Sequence, residues 1–143
     1  FTKKMILPWD GFCIVHDRIT PDQVREAQAL HSGAIVLVHP ECRPEVIDLA
    51  DHVASTSGII RHVCNSGEKE FIIGTEIGIL HRLKRDCPTK KCYPLSREAV
   101  CWNMKKTDLK KVRDALISLQ PRITVPEKIA ERAREAIERM LAL

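Results

Sequence analysis

The sequence is short of several things that would each have fixed a class at once. No apolar run approaches the roughly 18 residues that a membrane-spanning helix needs, so a helical membrane protein is excluded and no membrane partner is expected. No signal peptide is visible at the start of the sequence. No internal repeat or low-complexity stretch is present, which removes solenoids and disordered tracts. An excess of charge of one sign is also missing: 23 Lys and Arg stand against 19 Asp and Glu, a net +4 that is scattered along the chain. That balance gives no argument for nucleic acid as a partner and suits anionic small molecules equally well. An initial methionine is lacking too, and Phe1-Thr2-Lys3-Lys4 runs at once into Met5-Ile6-Leu7, so the start reads as the inside of a longer chain.

What is there is the composition of a folded soluble domain, 44% hydrophobic and 29% charged over 143 residues. Six cysteines, Cys13, Cys42, Cys64, Cys87, Cys92 and Cys101, could form three bridges. A chain rich in Leu, Ile and Val has no need of such staples. The expectation is a reducing compartment in which thiols are buried residues or metal ligands. Cys42 and Cys64 are read as ordinary buried or partly buried thiols.

Thr20-Pro21-Asp22-Gln23 has the form of a capping box with proline in the first helical position, predicting a helix from there to about Ser32-Gly33. Ala34 to Val38 is a continuous apolar run, the mark of a parallel strand covered on both faces. A helical turn after Pro44, a loop at Ser55-Thr56-Ser57-Gly58, a second apolar run at Phe71-Ile72-Ile73 and a helix carrying Ile77, Leu80 and Leu83 follow. This alternation predicts a three-layer αβα domain with a parallel sheet. Leu109, Val112, Leu116 and Leu119 predict one amphipathic helix capped by Thr107, and the residues after Pro126 predict another. With no strand after them, the two form a C-terminal helical extension.

In an open α/β sheet the ligand lies beyond the carboxyl ends of the strands, and His39 and Glu41 stand just after the first apolar run. An imidazole and a carboxylate there can bind a polar substrate and exchange protons with it; a loop histidine and a helix-start glutamate is the alternative. Ser55 to Gly58 offers either a helix cap or donors for a carboxylate or phosphate. Cys13 and Cys101, far apart in sequence, could converge on one iron–sulfur cluster or be inert buried thiols. Cys87, Cys92 and Cys101 with His81 suggest a zinc site at poor spacing, and with it the competing reading of a non-catalytic zinc- or nucleic-acid-binding module.

Several ordered motifs bear on that choice: Gly11-Phe12-Cys13-Ile14-Val15-His16, Val38-His39-Pro40-Glu41-Cys42, Ser55-Thr56-Ser57-Gly58, Gly74-Thr75-Glu76-Ile77-Gly78, Cys101-Trp102-Asn103-Met104-Lys105 and Val125-Pro126-Glu127. Together they resemble the quinolinate synthases of bacteria and archaea across essentially the whole chain. The resemblance implies one part of a pseudo-threefold, three-domain architecture. Residues 1–15 would end a preceding αβα domain, 16–100 would form an αβα domain, and 101–143 would hold a cluster-ligand loop and the C-terminal helices. It implies a cytoplasmic enzyme of NAD biosynthesis, a transferase that condenses iminoaspartate with dihydroxyacetone phosphate. The cofactor implied is a [4Fe–4S] cluster with one open iron acting as Lewis acid. Cys13 and Cys101 match two of its three cysteine ligands, and the third would precede Phe1. His39, Glu41 and Thr56 match positions that contact iminoaspartate or the intermediates. The other partner implied is the N-terminal half of the same enzyme, without which the fragment would be inactive.

Overall fold

The computed structural model describes residues 3–142. By contact it divides into two compact units, one running up to Trp102 and one from Asn103 onward.

The first unit is built on a parallel sheet. Its strands are β1 (Ile35–Val38), β2 (His52–Val53), β3 (Glu70–Gly74) and β4 (Lys91–Pro94), in the order β2-β1-β3-β4. Helices α1 (Ile14–Asp17) and α2 (Pro21–Leu30) precede β1, and α3 (Pro44–Ile47), α4 (Thr56–Asn65) and α5 (Ile79–Asp86) connect the successive strands. Side chains alternate across a strand, and this alternation builds two cores. Val36, Val38 and Ile72 face one way and bury against Val15, Val24, Ala27 and Val46 from α1, α2 and α3 and against Ile19 between α1 and α2. Leu37, Phe71 and Ile73 face the other way, against Ile59, Ile60 and Val63 of α4 and Ile79 and Leu83 of α5. A sheet covered on both faces by helices is the three-layer αβα arrangement that the apolar runs predict.

Local chemistry sets the helix ends. Thr20 Oγ1 accepts from the Gln23 N–H at 3.3 Å while Gln23 Oε1 accepts from the Thr20 N–H at 3.1 Å, so the capping box is formed. Gly33 lies in the left-handed region at φ 84° just beyond α2, a conformation costly for any residue with a Cβ. Ser55 is the N-cap of α4, accepting from the Gly58 N–H at 3.3 Å. The segment 55–58 is therefore a helix start.

The second unit contains a 3-10 turn (Met104–Lys106), α6 (Leu109–Ser118) and α7 (Glu127–Leu141). The cap of α6 is Asp108, whose carboxylate accepts from the Lys111 N–H at 2.8 Å, in place of the expected Thr107. A carboxylate outcompetes a hydroxyl here because its charge also faces the positive end of the helix. Neither α6 nor α7 carries a buried residue. Among the described residues no helix is long and apolar enough to cross a membrane.

Two cysteines depart from expectation. Cys64, near the end of α4, and Cys87, the C-cap of α5, are joined by a disulfide with their Cα atoms 5.3 Å apart. Cys64 is thus neither a free thiol nor buried. The pairing follows from α4 and α5 lying on the same face of the sheet with their C-terminal ends together. It also removes Cys87 from any zinc set. The remaining members are dispersed: Cys92 packs on the α4/α5 face, Cys101 on the opposite one, and His81 is exposed on α5.

Candidate functional site

The site lies at the carboxyl ends of β1 and β3. His39 is the first residue beyond β1, and its backbone N–H donates to the Gly74 carbonyl at the end of β3 at 3.0 Å. Glu41 follows in the turn to α3. The third member is His16 of α1, a residue to which sequence reasoning assigned no role. It is only 7% exposed although α1 is a single turn. Its place is secured by Arg43, whose guanidinium makes two hydrogen bonds to the Asp17 carboxylate, at 2.9 and 3.1 Å. That fork ties α1 to the residue before α3, so the two segments that bear the site cannot separate without breaking it.

The imidazoles of His16 and His39 stack at a centroid distance of 4.3 Å with 10° between planes. Glu41 Oε2 lies 3.2 Å from His16 Nδ1 and 3.5 Å from His39 Nδ1. The proton positions follow from what each partner can do. The Glu41 N–H, which only donates, points at His39 Nδ1 at 3.3 Å; the neutral His39 ring is therefore bare at Nδ1 and carries its proton on Nε2. His16 Nε2 is 2.8 Å from the hydroxyl of buried Thr75. Its Nδ1 is buried and has no well-directed hydrogen bond, because the nearby carboxylate oxygen lies off the ring N–H direction.

Burial, and after it the neighbouring His39 ring, holds His16 below the ordinary imidazole pKa; the charge and side-chain contact of Glu41 act in the opposite sense. A buried imidazole held below its ordinary pKa, beside a half-exposed carboxylate and a second imidazole, is a group of donors and acceptors that can exchange a proton with a bound ligand. Cys42, next in sequence, takes no part. Its thiol leans on the Gly74 carbonyl at 3.6 Å, and burial pushes its pKa up to about 11.

The donors also suit a transition metal. The Cys13 sulfur, a ring nitrogen of His16 and a carboxylate oxygen of Glu41 lie within 4.8 Å of one another, and thiolate with imidazole is a soft donor set. The buried, poorly paired Nδ1 of His16 is the kind of atom that such a site or its ligand would satisfy. Cys13 is the N-cap of α1, so Cys13 and His16, one helical turn apart, share a side of that turn; this spacing is the signal that would have found His16. Cys101 is a free, partly buried thiol on the same core face as Cys13, outside the close group. Thr56 stands exposed in the first turn of α4, after β2 and at the same end of the sheet. Among the described residues it shares no hydrogen bond with His16, His39 or Glu41.

Comparison with known proteins adds a family to this geometry. The family described as "Quinolinate synthetase A protein" matches residues 1–142. The chain is 71% identical over 143 residues to the quinolinate synthase of Methanoregula boonei, covering all of this chain and 47% of that protein. It is 56% identical over 142 residues to that of Desulforudis audaxviator, covering 99% of the chain and 47% of the relative. It is 50% identical over 141 residues to that of Thermodesulfovibrio yellowstonii, covering 99% and 46%. The chain spans about half the length of the curated relatives it matches, and it belongs to the quinolinate synthetase A family.

Proposed function

We propose that this chain supplies the acid–base and substrate-binding half of a quinolinate synthase, a cytoplasmic enzyme of NAD biosynthesis that condenses iminoaspartate with dihydroxyacetone phosphate, losing phosphate and water. The observation that carries the reading is the meeting of Cys13, His16, His39 and Glu41, from two distant segments, at the carboxyl end of a parallel sheet. This is where open α/β folds bind ligands.

In this reading the Glu41 carboxylate accepts the proton released from carbon as the ring closes. His39 offers its Nε2–H to a carboxylate or leaving hydroxyl of the substrate, while His16, held neutral, stacks behind it and resists a second positive charge. A dianionic substrate strengthens the His39 hydrogen bond, since a charged acceptor roughly doubles it. Thr56, in the first turn of α4, is the proposed contact for a carboxylate or phosphate. Cys13 and Cys101 would hold two corners of the [4Fe–4S] cluster, with the third thiolate contributed from the part of the enzyme outside this chain. When bound, that cluster supplies an iron with an open position, and so Lewis acidity toward a substrate oxygen.

The domain plan belongs to the same proposal. Residues 1–15 end a preceding αβα domain, 101–143 carry the ligand loop and the C-terminal helices, and the whole enzyme has three such domains about a pseudo-threefold axis. Exposed Met5, Ile6, Leu7, Trp9 and Phe12 before α1 support it, because apolar side chains of that number in one stretch mark a surface covered by something else.

The test is iron. In the enzyme completed with the other half of its length, Cys13→Ser and Cys101→Ser should each remove cluster absorbance and activity, since serine replaces thiolate poorly at iron. Full iron content and turnover in either variant would take that residue out of the ligand set.

A further inference from the structure

The turn Gly74-Thr75-Glu76-Ile77-Gly78 between β3 and α5 does no chemistry in the reading above, yet separate parts of the site are tied to it. The Gly74 carbonyl accepts from the His39 N–H at 3.0 Å. The Thr75 hydroxyl meets His16 Nε2 at 2.8 Å. Glu76 divides its carboxylate: Oε2 accepts from the Gly78 N–H at 2.7 Å and Oε1 from the Cys101 N–H at 3.4 Å. The Ile77 N–H donates to the Ala99 carbonyl at 2.8 Å, just ahead of Cys101.

We propose that Thr75 and Glu76 are positioning residues of the proposed active site, Thr75 fixing the orientation and tautomer of His16 and Glu76 fixing the loop that presents Cys101. The inference rests on the functional reading above and deepens it.

For Thr75 the chemistry is directional. The Glu41 carboxylate only accepts and lies 3.2 Å from His16 Nδ1 but off its N–H direction, so it biases the ring proton toward Nδ1 without fixing it. The Thr75 O–H, donating to a bare Nε2, completes that tautomer. Valine would fill the same space and leave a buried ring nitrogen without a partner; serine would keep the donor. For Glu76 the two backbone N–H groups need two acceptor oxygens. Glutamine offers one, and turns an NH2 toward the other N–H, so the carboxylate cannot be replaced by its isostere without losing one anchor. Outer partners of this kind typically matter by about 10- to 100-fold in metal affinity or activity.

Two measurements test the proposal. In this chain, nitrogen NMR of the His16 ring, at a pH where it is neutral, should report the Nδ1–H tautomer for the native sequence and for Thr75→Ser. It should report a mixture or the other tautomer for Thr75→Val, and Thr75→Ala is read in the same way should the valine variant not fold. In the complete enzyme, Thr75→Val should lower kcat by about tenfold or more at unchanged iron content, with Thr75→Ser restoring it. Glu76→Gln should lower iron content by about tenfold at limiting iron, with kcat per iron-loaded molecule retained. An unchanged tautomer in the valine or alanine variant, no rescue by serine, or full iron loading in Glu76→Gln would overturn the proposal. The NMR result needs neither substrate nor cluster. A tautomer that shifts as expected in a protein whose complete form makes no quinolinate would uphold the positioning role and discard the functional reading.

Discussion

Gly74 closes β3 where the site begins, and adding one methyl group there should be felt throughout the unit. A Cβ built on it would lie 2.8 Å from Val38 Cγ1, 3.0 Å from Leu95 Cδ1 and 3.3 Å from Val38 Cβ. Ordinary carbon contacts are about 3.5–4.0 Å, so both neighbours must retreat by roughly half an ångström to an ångström. Leu95 can turn about its side-chain bonds. Val38 is fully buried on β1, and its stiff β-branched side chain can move only with its strand. Overpacking of this kind costs about 1–3 kcal/mol. For a unit of about 100 residues each kcal/mol lowers Tm by about 4–8 °C, and urea unfolding followed by circular dichroism resolves that easily. Because Gly74 is not in the left-handed region, no backbone strain adds to the figure. The steric origin has its own check. Val38→Ala alone should destabilise by leaving a cavity, but combined with Gly74→Ala it removes the nearest clashing methyl group and leaves only Leu95 to turn aside, so the double variant should be more stable than the sum of the single effects by about 1 kcal/mol or more. A neutral Gly74→Ala, or strict additivity in the double variant, would refute the packing argument.

Two further outcomes follow from local chemistry. His16 is held below the ordinary value of 6.5 in the folded chain, chiefly by burial, so below about that pH the unfolded state binds a proton the folded state resists. Its stabilising contribution is complete above 6.5 and lost as pH falls through the lower folded value; Tm measured between neutral and mildly acidic pH should decline, and less so in His16→Gln, whereas identical profiles would show that His16 is not the group responsible. Thr20→Ala removes the hydroxyl half of the capping box on α2 and should cost about 1 kcal/mol in chemical denaturation, with Thr20→Ser close to native; equal losses in both would point to packing rather than the cap.

What was legible in the sequence was what local physics controls. The capping box at Thr20 and Gln23, the buried strand around Val36 to Val38 and the end of a helix near Gly33 all rest on residues a few positions apart. So does the placing of His39 and Glu41 beyond β1. The edge strands β2 and β4 escaped because their sequences carry no apolar signal: His52-Val53 is too short, and Lys91-Cys92-Tyr93-Pro94 is half exposed and ends in a proline, which an edge tolerates. Tertiary pairing was likewise invisible. Nothing local joins Cys64 to Cys87, and nothing local says that α1 turns His16 onto the ring of His39. The competing zinc set failed for the same reason, as Cys92 and Cys101 are drawn to opposite faces of one sheet.

The central claim is that His39 and Glu41 do chemistry rather than support the fold. The direct measurement is quinolinate formation per iron-loaded molecule in the complete enzyme, beside thermal unfolding, for His39→Ala and Glu41→Gln. Both variants should keep their iron and their Tm within a few degrees while kcat falls by about a hundredfold or more, the scale of positioned acid–base groups. An unchanged normalised kcat in both, with any loss confined to stability, would contradict the account.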